Sequence, residues 1–177
     1  RRVLVVVQFT VAISLIVGVL MVNKQVQFGK NRPSGYQQDQ LITLPIRSNQ
    51  IFEHFETVQE QISALNPVVS MASASCPVTE VWSTTSTVNW REKDANAGVD
   101  FAATSVSDNY GITINWTIKE GRDFSPDLAS DSSAILINEA AAALIGFEEP
   151  VGEVIEVYDS PFQIIGIVND LLVQSPF

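Results

Sequence analysis

Few residues in this chain could do covalent or acid–base chemistry, and their spacing governs how each is read. There is one histidine, His54, and one cysteine, Cys76. They would make a nucleophile and its base only if the fold joined them. Cys76, among small residues and before Pro77, reads more simply as a small buried residue at a strand end. Glu53, His54, Glu56, Gln59 and Glu60 could hold a metal or move protons, yet they fall largely off the apolar face of one helix and read as solvated surface. Asp94-Ala95-Asn96-Ala97-Gly98 echoes a calcium loop but lacks the remaining ligands and the closing glutamate, so it reads as a turn. Gly29-Lys30 lacks the glycine spacing and following hydroxyl of a phosphate-binding loop. The serines of residues 70–75 sit in no nucleophile elbow, and a single histidine excludes a His-Glu-x-x-His zinc site. Glu148-Glu149 reads as a solvated loop. Asn115-Trp116-Thr117 matches a glycosylation acceptor but falls in an expected strand. No catalytic, cofactor-binding or metal-ligating residue is assigned, and the chain does not read as an enzyme.

The elements that would position such groups start with residues 3–22, almost wholly apolar and interrupted only by Gln8, Thr10, Ser14 and Gly18. About 20 helical residues cover about 30 Å, the thickness of a bilayer's hydrocarbon core. The run therefore reads as one membrane-spanning helix, since a helix satisfies its own backbone in lipid. Arg1 and Arg2 precede it and place the N-terminal end in the cytoplasm, with residues from about 23 onward extracytoplasmic. Lys24, Lys30 and Arg32 on the far side run against a strict charge rule. No Ala-x-Ala site follows, which argues against a cleaved signal, and two arginines alone are weak evidence for twin-arginine export. The chain lacks an initiator methionine and reads as an excerpt of something longer. Val26 and Phe28 prolong the helix as a stalk, Gly29 weakens it, and Pro33-Ser34-Gly35 ends it.

Beyond the stalk, residues 41–46 and 68–74 read as strands around a helix at residues 50–65, capped by Ser48 or Asn49 and stopped at Asn66-Pro67. That order makes a βαβ unit. Residues 79–89, 99–106 and 112–118 read as further strands, with a turn at 91–98 and a hairpin at 108–111. A strand at 134–137 then meets Asn138, which caps a helix at 139–145 ended by Gly146. Strands at 154–158 and 162–168 follow. The fold class is α+β. The formal net charge of −10 argues against nucleic acid and against docking on anionic lipid, and one cysteine excludes a disulfide framework.

Several pieces in this order resemble the extracytoplasmic core domain of MacB/FtsX-like ABC transporter permeases. They are the opening Arg1-Arg2-Val3-Leu4-Val5-Val6-Val7-Gln8-Phe9, the stalk leading to Gly35-Tyr36, Gly121-Arg122-Asp123-Phe124, Ile135-Leu136-Ile137-Asn138-Glu139-Ala140-Ala141, Pro150-Val151-Gly152, and Ile164-Ile165-Gly166-Ile167-Val168-Asn169-Asp170. The resemblance covers nearly the whole chain. It implies one N-terminal transmembrane helix, a porter-like βαβ lobe, incomplete here, and an inserted mostly-β lobe. The implied divisions are residues 1–28 for the span and start of the stalk and 29–177 for the outer domain. Within the latter, 37–77 is the first half of the porter-like lobe, 78–170 the insertion, and 171–177 the return to the porter lobe. A further strand–helix unit and further spans are expected beyond Phe177.

By the same resemblance the expected partners are a cytoplasmic ABC ATPase subunit or domain, a second permease copy, a periplasmic adaptor or lipoprotein, and membrane lipid around residues 3–22. No cofactor is expected. The expected role is non-catalytic coupling of ATP hydrolysis to movement of the outer domain, in efflux, lipoprotein or peptide export, or mechanotransmission at the inner membrane. A membrane-tethered sensor or ligand-binding domain is the alternative, its pocket lined by Trp82, Trp90 or Trp116. A tethered hydrolase is opposed by the missing nucleophile–base pair.

Overall fold

A computed structural model of the chain describes residues 1–91, 93 and 98–173. The chain forms two compact units, one from Arg1 to Pro33 and the other Ser34–Ser175. The first is a single helix, α1 (Arg2–Asn31), of 30 residues. Its most apolar 18-residue window, within Arg2–Gly29, has a mean hydropathy of 2.7 and buries none of its residues, as a candidate membrane span should. Thr10 is accommodated because its hydroxyl donates to the Val6 carbonyl at 2.9 Å, one turn back. The helix runs through Gly29 and ends at Arg32, held extended (φ −68°, ψ 129°) as the residue before Pro33 must be.

The second unit opens with α2 (Asn49–Glu53) and α3 (Phe55–Ser63), separated at His54. The single helix expected at 50–65 is thus broken, and neither half buries a residue completely. Ser48 stands at the N-cap position without a side-chain hydrogen bond. The strand expected at 41–46 does not form: Ile42 and Leu44 are exposed, and the segment pairs with no strand among the described residues. A strand exists only with a neighbour to complete its ladder. At 68–74 the expected strand is reduced to a bridge at Ala74, antiparallel to Val106. Ser75 N–H donates to the Ser105 carbonyl and Ser107 N–H to the Ser73 carbonyl, each at 2.9 Å.

The mostly-β part follows. β1 (Thr84–Thr85) pairs with β3 (Phe101–Ala102), and β2 (Val88–Asn89) joins the main sheet. Residues 110–114 are a helix, α4 (Tyr110–Ile114), where a hairpin and strand were expected. The Asn109 carbonyl accepts both the Thr113 N–H at 3.0 Å and its hydroxyl at 2.7 Å, closing a helical turn. Tyr110 and Ile114, four residues apart, bury one face of that turn. Asn115, left-handed at φ +52°, ends it, and the strand starts later, at β4 (Ile118–Gly121). A short 3₁₀ helix (Ala129–Ser133) leads into β5 (Ala134–Asn138), α5 (Glu139–Ile145), β6 (Val154–Val157) and β7 (Ser160–Val168). These last elements fall where the sequence places them, within a residue or two.

The five-stranded sheet is mixed and built on β7. Gln163 faces Val154 of β6 on one side and Ala134 of β5 on the other; further along, Gly166 faces Gly121 of β4 and Leu136 of β5. β6 and β4 therefore lie end to end along one side of β7, and β5 runs parallel along the other. Gly121 (φ +74°) and Gly166, which face each other, make the close approach of β4 and β7 possible. A Cβ on Gly121 would meet the Ile165 carbonyl and Gly166 Cα, and one on Gly166 would meet the backbone of Arg122. The core gathers around Ile164, which is fully buried, with Val88, Ile137, Ile145, Ile155, Val157 and Ile167. Trp90 closes one side, edge-on to Phe101 at 6.0 Å. Ile164→Ala should lower unfolding stability by about 2–5 kcal/mol, read from the denaturant midpoint at unchanged slope.

Candidate functional site

The sequence motifs that stand far apart in the chain converge at the end of β7. Asn169 and Asp170 follow that strand directly and make five hydrogen bonds that fix this junction. The Asn169 backbone N–H donates to the Thr117 carbonyl at 3.0 Å, and its side-chain oxygen accepts the Thr117 N–H at 2.9 Å, which fixes the start of β4. Its Nδ2 donates to the Gly35 carbonyl at 2.9 Å. Asp170 Oδ1 accepts from Asn138 Nδ2 at 2.8 Å and from the Ala140 N–H at 3.0 Å. Asn138 in turn accepts the Ala141 N–H at 3.0 Å, so the first turn of α5 is capped twice, by an amide and by a carboxylate suited to the positive end of a helix.

The same place receives the chain where it enters the second unit. Leu172 N–H donates to the Ser34 carbonyl at 2.8 Å, Gln37 N–H to the Ile114 carbonyl at 2.9 Å, and the Ser34 hydroxyl to the Tyr36 carbonyl at 2.6 Å. Asn115 Nδ2 reaches Gln37 Oε1 at 3.1 Å. Gly35 has φ +82°, and a Cβ there would meet the Asp170 carbonyl, Asn169 Nδ2 and Leu171. Residues 34–37 are thus held both by the chain leaving β7 and by α4.

Beside this junction the Gly121-Arg122-Asp123-Phe124 turn is locked by charge. Arg122 meets Asp131 with two nitrogens, at 2.8 Å and 2.6 Å, and donates to the Asp123 carbonyl at 3.0 Å. Ser125 N–H also donates to Asp131, at 2.9 Å. The Asp131 side chain is 3% exposed. The Arg122 hydrogen bonds, with that of Ser125, outweigh desolvation and hold its carboxyl at about 2, below the usual 3.8. Asp131 reciprocally raises the pKa of Arg122. Asp123 accepts the Trp116 indole N–H at 2.8 Å, and Trp116 stands edge-on to Tyr110 at 5.5 Å. Burial, then the proximity of Cys76 and Tyr36, pushes the Tyr110 hydroxyl up to about 12. The Arg122–Asp131 pair and Tyr110 are thus engaged in structure, their shifts all running away from neutral pH.

The residues singled out for chemistry are scattered. Cys76 is buried with its sulfur 3.2 Å from Thr104 Oγ1, while His54 is exposed between α2 and α3. Gln59 ties α3 to the Met71 carbonyl at 2.8 Å. The hydroxyls of Ser70 and Ser75 and the backbone of Ser73 belong to a seam: Ser70 meets Thr113, Ser73 N–H donates to Ser107 Oγ at 3.0 Å, and Ser75 Oγ accepts the Ser105 N–H. Glu148 and Glu149 are exposed. Asn115 is exposed at the end of α4, not in a strand. Residues 94–97 of the calcium-loop echo lie outside the described residues. Among the described residues no group of three His, Cys, Asp or Glu side chains could hold a metal. Of the three tryptophans, Trp82 is exposed with its indole on Glu80, Trp90 packs on the core, and Trp116 alone borders a cleft of about 1130 Å³.

A family model described as the MacB-like periplasmic core domain matches residues 4–176. A curated relative, the macrolide export ATP-binding/permease protein MacB of Azoarcus sp. (strain BH72), is 33% identical over 69 residues, which are 38% of this chain and 10% of that protein. The matched part is thus a tenth of that relative's length. Among solved structures, the periplasmic region of MacB from Actinobacillus actinomycetemcomitans superposes with a TM-score of 0.48 at 18% identity, over 67% of this chain and 52% of that one. A permease-protein domain from Porphyromonas gingivalis does so with a TM-score of 0.45 at 18% identity, over 64% and 45%.

Two outcomes follow from the junction. The folded carboxyl of Asp131 titrates below its unfolded value, so its stabilisation is complete above pH 3.8 and is lost as pH falls toward 2. Asp131→Asn should lower stability at pH 7 by roughly 1.5–3 kcal/mol and flatten that acid limb, read by denaturant titration at each pH. Gly35→Ala should cost at least about 1 kcal/mol for the left-handed backbone alone, seen as a lower midpoint together with faster proteolysis near residues 34–37.

Proposed function

Because this chain belongs to the MacB-like periplasmic core domain family, we propose that it is the span and outer domain of an ABC transporter permease, a non-catalytic part that carries movement across the inner membrane. α1 crosses the bilayer with Arg1 and Arg2 on the cytoplasmic side, and residues beyond about 23 stand in the periplasm. Residues 1–28 are the span and start of the stalk, and the outer domain has a porter-like part over 37–77 and an inserted part over 78–170. An ABC ATPase works from the cytoplasm, a second permease copy completes the pair, and an adaptor or lipoprotein meets the outer domain.

The observation that carries this reading is the continuity of α1. Its 30 residues extend about 45 Å, against about 30 Å of hydrocarbon. About two to three turns therefore stand clear of the lipid on the same unbroken hydrogen-bond ladder. A helix without a break transmits tilt or translation, whereas a flexible tether dissipates it. On the receiving side, residues 34–37 are fastened to the end of β7 and to α4, so movement of the rod loads the sheet rather than a loose loop. The ionisable groups at that junction serve structure, in keeping with a part that transmits force and leaves bond-making to its ATPase.

Two variants of the full-length protein, with its ATPase, separate the span from the rod. Leu15→Asp places a charge mid-span at a cost of about 2.5–3.5 kcal/mol, and membrane insertion should fall; normal insertion would sink the membrane assignment. Gln25→Pro breaks the ladder above the lipid. It should leave insertion and ATPase co-purification intact while transport, or ATP turnover stimulated through the outer domain, falls at least about tenfold, roughly the 1.4 kcal/mol that a partial loss of coupling represents. Unchanged turnover in that variant would mean that α1 is a tether and not a rod.

A further inference from the structure

The second unit contains an open cleft of about 1130 Å³, at the large end of ligand-sized pockets. It lies between the main sheet and the ribbon formed by residues 75–81 and 99–106. All five residues of β5, Ala134 to Asn138, border it. Successive strand residues point to opposite faces, so a cavity bordered by all five meets the strand along its edge as well as on one face. That edge is open: β5 pairs with β7 on one side and, among the described residues, with no strand on the other. An open edge is a row of backbone donors and acceptors that an extended chain can complete.

The rest of the lining says which chain. The walls are more apolar than polar, with Val78, Val81, Phe101, Leu128 and Leu144 set among hydroxyl-bearing residues. The charged residues that border the cleft are Glu80, Asp100, Asp108 and Asp131, all acidic. Asp131 is neutralised by Arg122, while Glu80, which accepts the Trp82 indole N–H, stands with Asp100 and Asp108 as an exposed carboxylate at the cleft. An apolar slot with acidic groups and an unpaired strand edge is complementary to an extended, positively charged peptide.

We propose that this cleft binds a cationic peptide segment as an added strand on β5. The peptide backbone pairs with the free edge over about five residues, about 16 Å at 3.3 Å per residue. Its alternate apolar side chains enter the slot, and its lysines or arginines meet Asp100 and Asp108. The proposal goes beyond mechanical coupling and concerns the cleft alone, so it stands or falls apart from the role of α1.

The test uses full-length protein in detergent micelles and a fluorescently labelled octapeptide of alternating lysine and valine, followed by anisotropy. Saturable binding that weakens with added salt is expected. Asp100→Asn and Asp108→Asn, both at exposed positions, should each weaken it about two- to fivefold without moving the thermal midpoint. The same peptide N-methylated on alternate amides should bind at least about tenfold more weakly, because it cannot complete the ladder. Equal binding of a glutamate–valine peptide would overturn the charge assignment. Equal binding of the N-methylated peptide would mean a site for a small amphipathic molecule instead of a strand, and no saturable binding of the lysine–valine peptide would remove the site. ATPase co-purification, read on the same preparation, distinguishes any of these failures from failure of the coupling role.

Discussion

The fold depends on how the chain leaves β7. That strand pairs with three others, β4, β5 and β6, more than any other described strand of the main sheet, and its end must do three things at once. Asn169 holds the start of β4 through paired backbone and side-chain bonds, and it also holds the incoming chain at Gly35. Asp170 caps α5. An amide offers both a donor and an acceptor, and a carboxylate offers acceptors only; each task here is matched to the group that can perform it. The Arg122–Asp131 pair sits on the neighbouring turn and fixes the route from β4 to β5. It is a two-pronged ion pair whose carboxylate is buried while the guanidinium stays partly exposed, and its two parallel bonds constrain geometry more than a single contact would.

This arrangement ties the chain entering the second unit to the chain leaving β7. α1 ends at a proline-forced extended residue, and the chain is caught within two residues by bonds to segments more than a hundred residues later in sequence. Hydrogen bonds between an entering and a leaving segment resist separation together, since neither end can peel alone. The more loosely packed region is elsewhere: α2 and α3 bury no residue completely, and residues 41–46 have no strand partner among the described residues. Low burial of this kind marks the part of a domain that opens at least cost.

Legibility followed burial. The apolar run of α1 was readable because a helix in lipid needs only length and hydropathy. The stretch from β5 to β7 was readable because local and global signals agree there: Asn138 caps, Gly146 ends, and the apolar residues pack onto Ile164. The signals failed where both readings were locally sound. Asp108-Asn109-Tyr110-Gly111 carries turn residues that can open a hairpin or a helix. Packing of Tyr110 and Ile114, with Trp116 held by Asp123, chose the helix. Residues 41–46 and 68–74 have strand-like composition, yet a ladder takes two partners and composition describes only one. The roles of Asn169 and Gly35 left no local trace beyond their types.

The sequence alone determined the long apolar helix, its end at Pro33, the Asn138-capped α5 and the lack of a spaced catalytic motif, because each rests on residues within a few turns of one another. The tertiary structure decided the rest. It brought Gly35, Thr117, Asn138 and Asn169-Asp170 into one hydrogen-bonded junction, paired Arg122 with Asp131, and left one edge of β5 without a strand partner among the described residues, beside a cleft with acidic groups. Hydrogen bonds and strand pairs between distant segments depend on which backbone groups the chain path leaves unsatisfied, and that path exists only once the core around Ile164 has closed.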